Sequence, residues 1–292
     1  MDAQETHIEP VEADEAGKPV FAIMGEFSVG KSTLSNLLIG ADPLPVRVTA
    51  TQLPPVWLSY GDQAPYREDM GGNVVPVDID HLDEVPLSDT SLIRVFMKSE
   101  ILERCDLIDM PGISDPNMSS DVWENLIHHA DGVLWCTHAT QAWRQSEAAV
   151  WKTLTPDLYA KSLLLVTRVD KIISEMDRRK VMKRVARETE GLFAGVFPIS
   201  LTQAIAGKER RELWAKSGGE AFIDRLLDLT VELSNSSDGK MNYQFVPPEK
   251  VELSSPRTFV RPARVVVNPR TTSPSRPGAA HLTCRLDGDQ TP

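Results

Sequence analysis

The chain is poor in cysteine. It has three in 292 residues, Cys105, Cys136 and Cys284, and none forms a CxxC or CxH pair. That spacing argues against a zinc or dithiol redox centre and for buried thiols in a reducing cytoplasm. Basic charge is not in excess either. The 31 Lys+Arg against 42 Asp+Glu leave −11 and a pI near 5.1. That balance argues against a protein that coats nucleic acid through its overall field, though not against a local patch, and no nucleic acid is expected as partner. No apolar run approaches the ~20 residues of a membrane span. The N-terminal MDAQETHIEPVEADEAG has no apolar stretch, so it is not a secretory signal. No internal repeat is present.

What is there is unevenly spread. Residues 1–17 hold six acids and no Lys or Arg, whereas residues 236–292 hold eight basic residues, five acids and eight of the 21 prolines. Such flanks read as a disordered acidic leader (1–17) and a disordered Pro/Arg/Ser-rich tail (236–292) around one globular domain at 18–235. The chain overall is 41% hydrophobic and 25% charged, ordinary for a globular protein.

Short apolar runs predict strands at 20–24, 56–60, 92–97, 105–110, 132–138, 162–167 and 195–199. Helices are predicted at 31–39, 121–130 with Asp121 as cap, 143–154, 174–190 opened by Ser174 and Asp177, and 219–234. Residues 61–90, rich in Gly, Pro and Asp, read as an irregular insertion. Strands alternating with helices imply an α/β fold with a mostly parallel sheet covered on both faces. Ligand sites are then expected at the carboxyl ends of the strands.

The sharpest motif is Gly25-Glu26-Phe27-Ser28-Val29-Gly30-Lys31-Ser32-Thr33. It fits G-x-x-x-x-G-K-[ST] between a predicted strand and a predicted helix, the context a phosphate-binding loop requires. Its glycines let the backbone wrap phosphate oxygens, and its amides and the helix N-terminus supply donors. Lys31 reaches the β- and γ-phosphates, and Ser32 ligates Mg²⁺. Asp109-Met-Pro-Gly112 closes another apolar strand about 80 residues on. Asp109 can hold Mg²⁺ through water, and the Gly112 amide can sense the γ-phosphate.

Thr167-Arg168-Val169-Asp170 follows the strand SLLLV and matches [NT]-K-x-D with Arg for Lys. Asp170 can accept from N1–H and the amine of guanine, which adenine cannot offer, and Arg168 can lie over the base. Ser200 stands where a base-contacting loop is expected, although Leu201-Thr202 departs from the usual S-A-x. Between the first helix and the next strand, Thr49 or Thr51 can close over Mg²⁺ and the γ-phosphate, with Thr49 preferred. Bland readings suffice elsewhere: packing for Trp135, Trp143 and Trp151, polar turn residues for His128-His129, a solvated face for the basic stretch 178–187, and chance P-x-x-P spacing at 274–277.

In GEFSVGKSTLSNLLIGADPLPVRVTAT, DLIDMPGIS and LVTRVDKI, taken in that order, the chain resembles bacterial dynamin-like GTPases over about residues 18–232. The resemblance implies a P-loop GTPase that hydrolyses GTP to GDP with Mg²⁺. Ser28, Lys31 and Thr49 are its implied catalytic residues, and Ser32, Thr49 and Asp109 its implied metal ligands. Ser28 would position a charge-compensating Na⁺ or K⁺ and the attacking water. Phe27 stands where eukaryotic dynamins often have Gln. Ile113 replaces the Gln that orients water in Ras-like enzymes, so intrinsic turnover should be slow unless a cation or a dimer partner completes the site. The resemblance also implies GTP-dependent homodimerisation and stimulation across the nucleotides.

Two other readings stay open. One is a slow switch or scaffold whose output is a partner protein, completing a membrane-associated assembly with another chain. The other is a self-contained membrane-remodelling machine, disfavoured because no helical heptads or hydrophobic paddle follow residue 235. Peripheral membrane contact is compatible with either.

Overall fold

A computed structural model describes residues 18–40, 53–114, 124, 126–208 and 210–236. The acidic leader, Thr49, Thr51, Asp121, Cys284 and the tail from 237 lie outside the described residues.

Among the described residues, nine strands form one sheet in the order β4-β3-β5-β2-β6-β1-β7-β8-β9. They are β1 (Val20–Gly25), β2 (Val56–Tyr60), β3 (Tyr66–Asp69), β4 (Val74–Pro76), β5 (Thr90–Met97), β6 (Asp106–Asp109), β7 (Gly132–His138), β8 (Leu163–Thr167) and β9 (Gly195–Ile199). Helices among the described residues include α1 (Lys31–Ile39), α2 (Gln145–Trp151), α3 (Glu175–Glu188), α4 (Leu201–Ala206), α5 (Arg211–Ser217) and α6 (Gly219–Asn235).

Strand β1 shows why its residues are uniformly apolar. Phe21 and Ile23 join one core with α1, α4 and α6, contributed by Leu34, Leu201, Phe222, Leu226, Leu229 and Leu233. Ala22 and Met24 join a second core on the opposite face, with Trp151 of α2 and Val185 of α3. A strand buried on both faces has no polar side to alternate with. Parallel neighbours β6, β1, β7, β8 and β9 are in register, so that Ile23 pairs with Asp109, Gly25 with Cys136, His138 with Thr167, and Thr167 with Ile199. Their carboxyl ends therefore finish side by side.

The other half of the sheet differs. β2 runs parallel to β5 but antiparallel to β6, and β3 is antiparallel to both β4 and β5. The stretch 61–90, expected to be irregular, instead supplies the hairpin β3–β4. Its turn is held by Asp69, whose side chain accepts from the amides of Gly71 and Asn73 at 2.8 Å each and from Asn73 Nδ2 at 2.9 Å.

Helix α2 is shorter than the predicted 143–154, because Trp143 takes a left-handed backbone (φ +59°) before it. Ser174 caps α3 by accepting from Asp177 N, as the sequence implies. Helices α4 and α5 have no counterpart among the predicted elements. Trp135 packs edge-on against Trp143 and Trp151, and Trp151 stacks on Phe193 at 4.2 Å, so the tryptophans are core. Cys105 and Cys136 are buried, and burial pushes both thiols up to about 12, which suits inert core residues. No helix among the described residues is long and apolar enough to cross a membrane.

Candidate functional site: a phosphate cradle at the strand ends

The chain leaves β1 through Gly25, and only glycine fits there. Its φ is +143°, and a Cβ would stand 2.2 Å from Cys136 O on β7. The loop 26–30 then turns at the carboxyl end of β1 into α1. Phe27 and Ser28 face solvent, Lys31 is buried, and Ser32 and Thr33 are half-buried at the first turn of α1. The Lys31 ammonium is folded back onto the loop, donating to Gly25 O at 3.2 Å and Glu26 O at 2.9 Å. A cation held against loop carbonyls, beside a ring of backbone amides at a helix start, is a preformed receptor for phosphate.

Asp109 ends β6 directly beside this loop. Ser32 Oγ donates to its Oδ2 at 2.7 Å. Its other oxygen, Oδ1, is buried and accepts no hydrogen bond. The nearby Ser35 hydroxyl donates elsewhere, to Lys31 O at 3.1 Å. Burial pushes Asp109 up to about 6, although the Ser32 hydrogen bond, the Lys31 charge and the neighbouring Ser35 hydroxyl act in the opposite sense. A buried carboxylate oxygen left unsatisfied next to a helix-start serine fits a divalent cation, with oxygen ligands of the type Mg²⁺ prefers. Among the described residues no cluster of three or more His, Cys, Asp or Glu could hold a metal.

The segment 110–114 is tied to the loop by one backbone pair and one serine hydroxyl. Ile113 N donates to Gly25 O at 3.2 Å, and Phe27 N donates to Ser114 Oγ at 3.3 Å. A Cβ on Gly112 would lie 3.0 Å from Phe27 N and Cα, so the two loops touch. Ile113 occupies the position after Gly112 and offers no polar group to a water.

Thr167 ends β8, Arg168 and Asp170 follow it, and Ser200 follows β9. Thr167 Oγ1 donates to Val29 O at 2.8 Å and Thr137 O at 3.1 Å, tying the phosphate loop to β7 and β8. Arg168 is left-handed (φ +56°) and donates through Nη2 to Ser28 O at 2.7 Å, where Ser28 is itself left-handed (φ +58°). Asp170 follows in a 3₁₀ turn, half-buried beside Val169. Ser200 is buried and caps α4, with Oγ accepting from Gln203 N at 3.4 Å. All the sequence candidates among the described residues thus gather at the ends of β1, β6, β8 and β9. Thr49 and Thr51 lie outside the described residues.

Three residues at this site carry no sequence signal. Arg144 Nη1 reaches Glu26 Oε2 at 2.7 Å, and Ser146 Oγ donates to Glu26 Oε1 at 2.5 Å. Glu147, fully buried, accepts from Trp135 Nε1 at 3.1 Å, Thr137 Oγ1 at 2.9 Å and Arg144 N at 2.8 Å. Burial raises its carboxyl, opposed by these hydrogen bonds. They sit in HATQAWRQSE, which matches no motif, and only the fold brings them to the phosphate loop.

Comparison with known proteins gives the following. The model of the Dynamin family matches residues 21–169. Dynamin-like protein 2 of Campylobacter jejuni is 24% identical over 218 residues, 72% of this chain and 35% of that protein. Two solved chains of an oligomerised bacterial dynamin pair, described as a mechanism for sensing and tethering membranes over long range, superpose with TM-scores of 0.56 and 0.61. Their identities are 23% and 18%, and each match spans 76% of this chain and 36% or 47% of the other. The chain therefore spans about a third to a half of the length of the relatives it matches.

Proposed function

The chain belongs to the dynamin family and carries its GTPase domain, and from that premise we propose that it binds GTP with Mg²⁺ and hydrolyses it to GDP and phosphate. One observation carries this reading. The buried, unsatisfied Asp109 Oδ1 stands beside Ser32 and a phosphate loop already folded around Lys31.

Lys31 would exchange its two carbonyl partners for phosphate oxygens, a charge-assisted replacement for two neutral acceptors. Ser32 and Asp109 would hold the cation, which when bound neutralises charge on the β- and γ-phosphates. The Gly112 amide would report the γ-phosphate to the 110–114 segment, which is joined to the loop by backbone contact. Asp170 would select guanine, with Arg168 and Thr167 fixing the loop beneath the nucleotide.

Ser28 is exposed and available to a monovalent cation and the attacking water. Ile113 cannot orient that water, so we expect slow turnover by the isolated chain and stimulation when a second GTPase domain completes the site. The same absence supports a second reading, a switch whose nucleotide state controls a partner. Membrane contact of the kind described for the bacterial dynamin pair is part of this proposal only as a peripheral association.

The test is nucleotide binding and turnover by the full chain, GTP against ATP, at rising protein concentration and with Na⁺ or K⁺. Lys31→Ala should abolish binding, and wild-type GTP affinity in that variant would sink the reading. A turnover per subunit that stays flat with concentration would remove dimer stimulation. GTP and GDP forms that capture partners equally would remove the switch.

A further inference from the structure

The phosphate loop is gripped through the side chain of one of its own residues, by groups from the segment after β7. Glu26 is the second residue of the loop. Its backbone carbonyl holds Lys31 Nζ at 2.9 Å, while its carboxylate is engaged on both oxygens, by Arg144 Nη1 at 2.7 Å and Ser146 Oγ at 2.5 Å. The Glu26 side chain is only 13% exposed, so this ion pair is better shielded than a surface one, although Arg144 is 46% exposed.

Arg144 and Ser146 are themselves fixed. Trp143 N donates to Thr137 Oγ1 at 3.0 Å, Thr137 Oγ1 donates to Glu147 Oε2, and Arg144 N donates to the same carboxylate oxygen at 2.8 Å. The left-handed turn at Trp143 is thereby pinned to buried groups of β7 and α2, and it delivers Arg144 to the loop. A non-glycine residue held at positive φ persists only where its surroundings over-determine it.

We propose that Arg144 and Ser146 are positioning residues that pre-form the phosphate cradle by clamping Glu26. The segment after β7 thus acts as the loop's buttress. This rests on the functional reading above. The clamp is made entirely of protein groups, so it lowers the ordering cost that phosphate binding would otherwise meet. It acts alike on GDP and GTP, since both place phosphates against the same amides. It touches no atom that changes charge in the reaction, so it belongs to binding more than to the chemical step.

The experiment uses the full 292-residue chain, a fluorescent N-methylanthraniloyl derivative of GDP or GTP with Mg²⁺, and steady-state turnover. Arg144→Ala should weaken both nucleotides by roughly 3- to 10-fold, while kcat at saturating GTP changes less than affinity does. Arg144→Lys should recover part of the loss. Glu26→Ala combined with Arg144→Ala should bind no more weakly than Glu26→Ala alone, because the two act through one contact.

Unchanged affinity in Arg144→Ala overturns the proposal. So do losses that multiply in the double variant, or a fall in kcat with affinity intact. Should Arg144→Ala unfold, Ser146→Ala and Arg144→Lys carry the same test, each expected to weaken binding about 2- to 3-fold. A wild-type chain that binds neither nucleotide sinks the functional reading, and this one with it. Wild-type binding with indifferent variants sinks this one alone.

Discussion

Two buried carboxylates flank the phosphate loop, and they are not alike. Asp109, at the end of β6, receives one hydrogen bond from Ser32 and leaves Oδ1 without a partner. Glu147, at the start of α2, receives three, from Trp135, Thr137 and the Arg144 amide. Burial pushes both carboxyls upward. The difference teaches how to tell a ligand site from an anchor. A buried acid with every oxygen engaged spends its charge on holding backbone. One with an oxygen left over is poised for a cation.

Exchanging acid for amide at each position separates the two roles. The largest effect is expected for Asp109→Asn on metal-dependent binding. The amide oxygen remains but the charge is gone, so Mg²⁺-dependent GTP affinity should fall at least ~100-fold, about 2.7 kcal/mol. Titration with fluorescent GTP, with and without Mg²⁺, reads it directly. An Asp109→Asn variant that keeps its Mg²⁺ response would erase the distinction.

Next comes Glu147→Gln. Trp135 Nε1, Thr137 Oγ1 and Arg144 N all donate to this side chain, and an amide has only one oxygen to offer. At least one buried donor is left facing an NH₂ group, at a cost of roughly 1–3 kcal/mol in urea unfolding. Its influence on nucleotide should pass only through the Arg144 clamp. If Glu147→Gln proved neutral, the side chain would have room to re-pair, and the buttress would be looser than its three contacts imply.

Much of this site is legible in the amino-acid sequence. The phosphate loop, Asp109-x-x-Gly112 and Thr167-x-x-Asp170 each close an apolar run. A run of that kind before a glycine or a turn is what a parallel strand buried on both faces produces. Leu34, Leu37 and Leu38 announce α1 by spacing alone, and all three are buried. The Glu147 network is not legible, because its members are distant partners. Trp135 and Glu147 lie twelve residues apart on a strand and a helix, and Glu26 and Arg144 are 118 apart.

The hairpin β3–β4 escapes for a different reason. Its strands have four and three residues, and Val74 is exposed, so no alternation of apolar and polar positions can build up. Helix α4 buries only Leu201 and Ala204, too few to set a period. The basic stretch of α3 is a solvated face, as its composition implies. Arg178 and Arg179 both pair with Glu175 at 3.4 Å, and Arg184 pairs with Glu188 at 3.0 Å. Glu175→Ala should accordingly cost under about 0.5 kcal/mol, the smallest stability effect expected for any of these acids.

The subtlest way to sharpen the comparison is stability against pH, measured without added nucleotide. Burial holds Asp109 at about 6 against an ordinary 3.8, so the folded state binds its proton more tightly than the unfolded state does. By linkage, the stability Asp109 contributes is fully present below pH 3.8, is lost as pH rises through 6, and stays lost above. Asparagine cannot ionise and escapes that loss.

Asp109→Asn and wild type should therefore be almost equally stable near pH ~4. The variant should become more stable by up to about 2–3 kcal/mol at pH ~7, without nucleotide or metal. Urea denaturation at both pH values measures it. Glu147→Gln should move the other way at neutral pH and show no gain, because lost hydrogen bonds outweigh the relieved charge. Adding GTP and Mg²⁺ should then reverse the order at position 109 alone, with wild type gaining the binding free energy that the variant cannot collect. Stability given up in the empty state and regained with ligand is the signature of a site. Stability that does not respond to ligand is the signature of an anchor. A pH-independent difference between Asp109→Asn and wild type would mean that the buried oxygen is solvated after all, and the two carboxylates would no longer be distinguishable by this test.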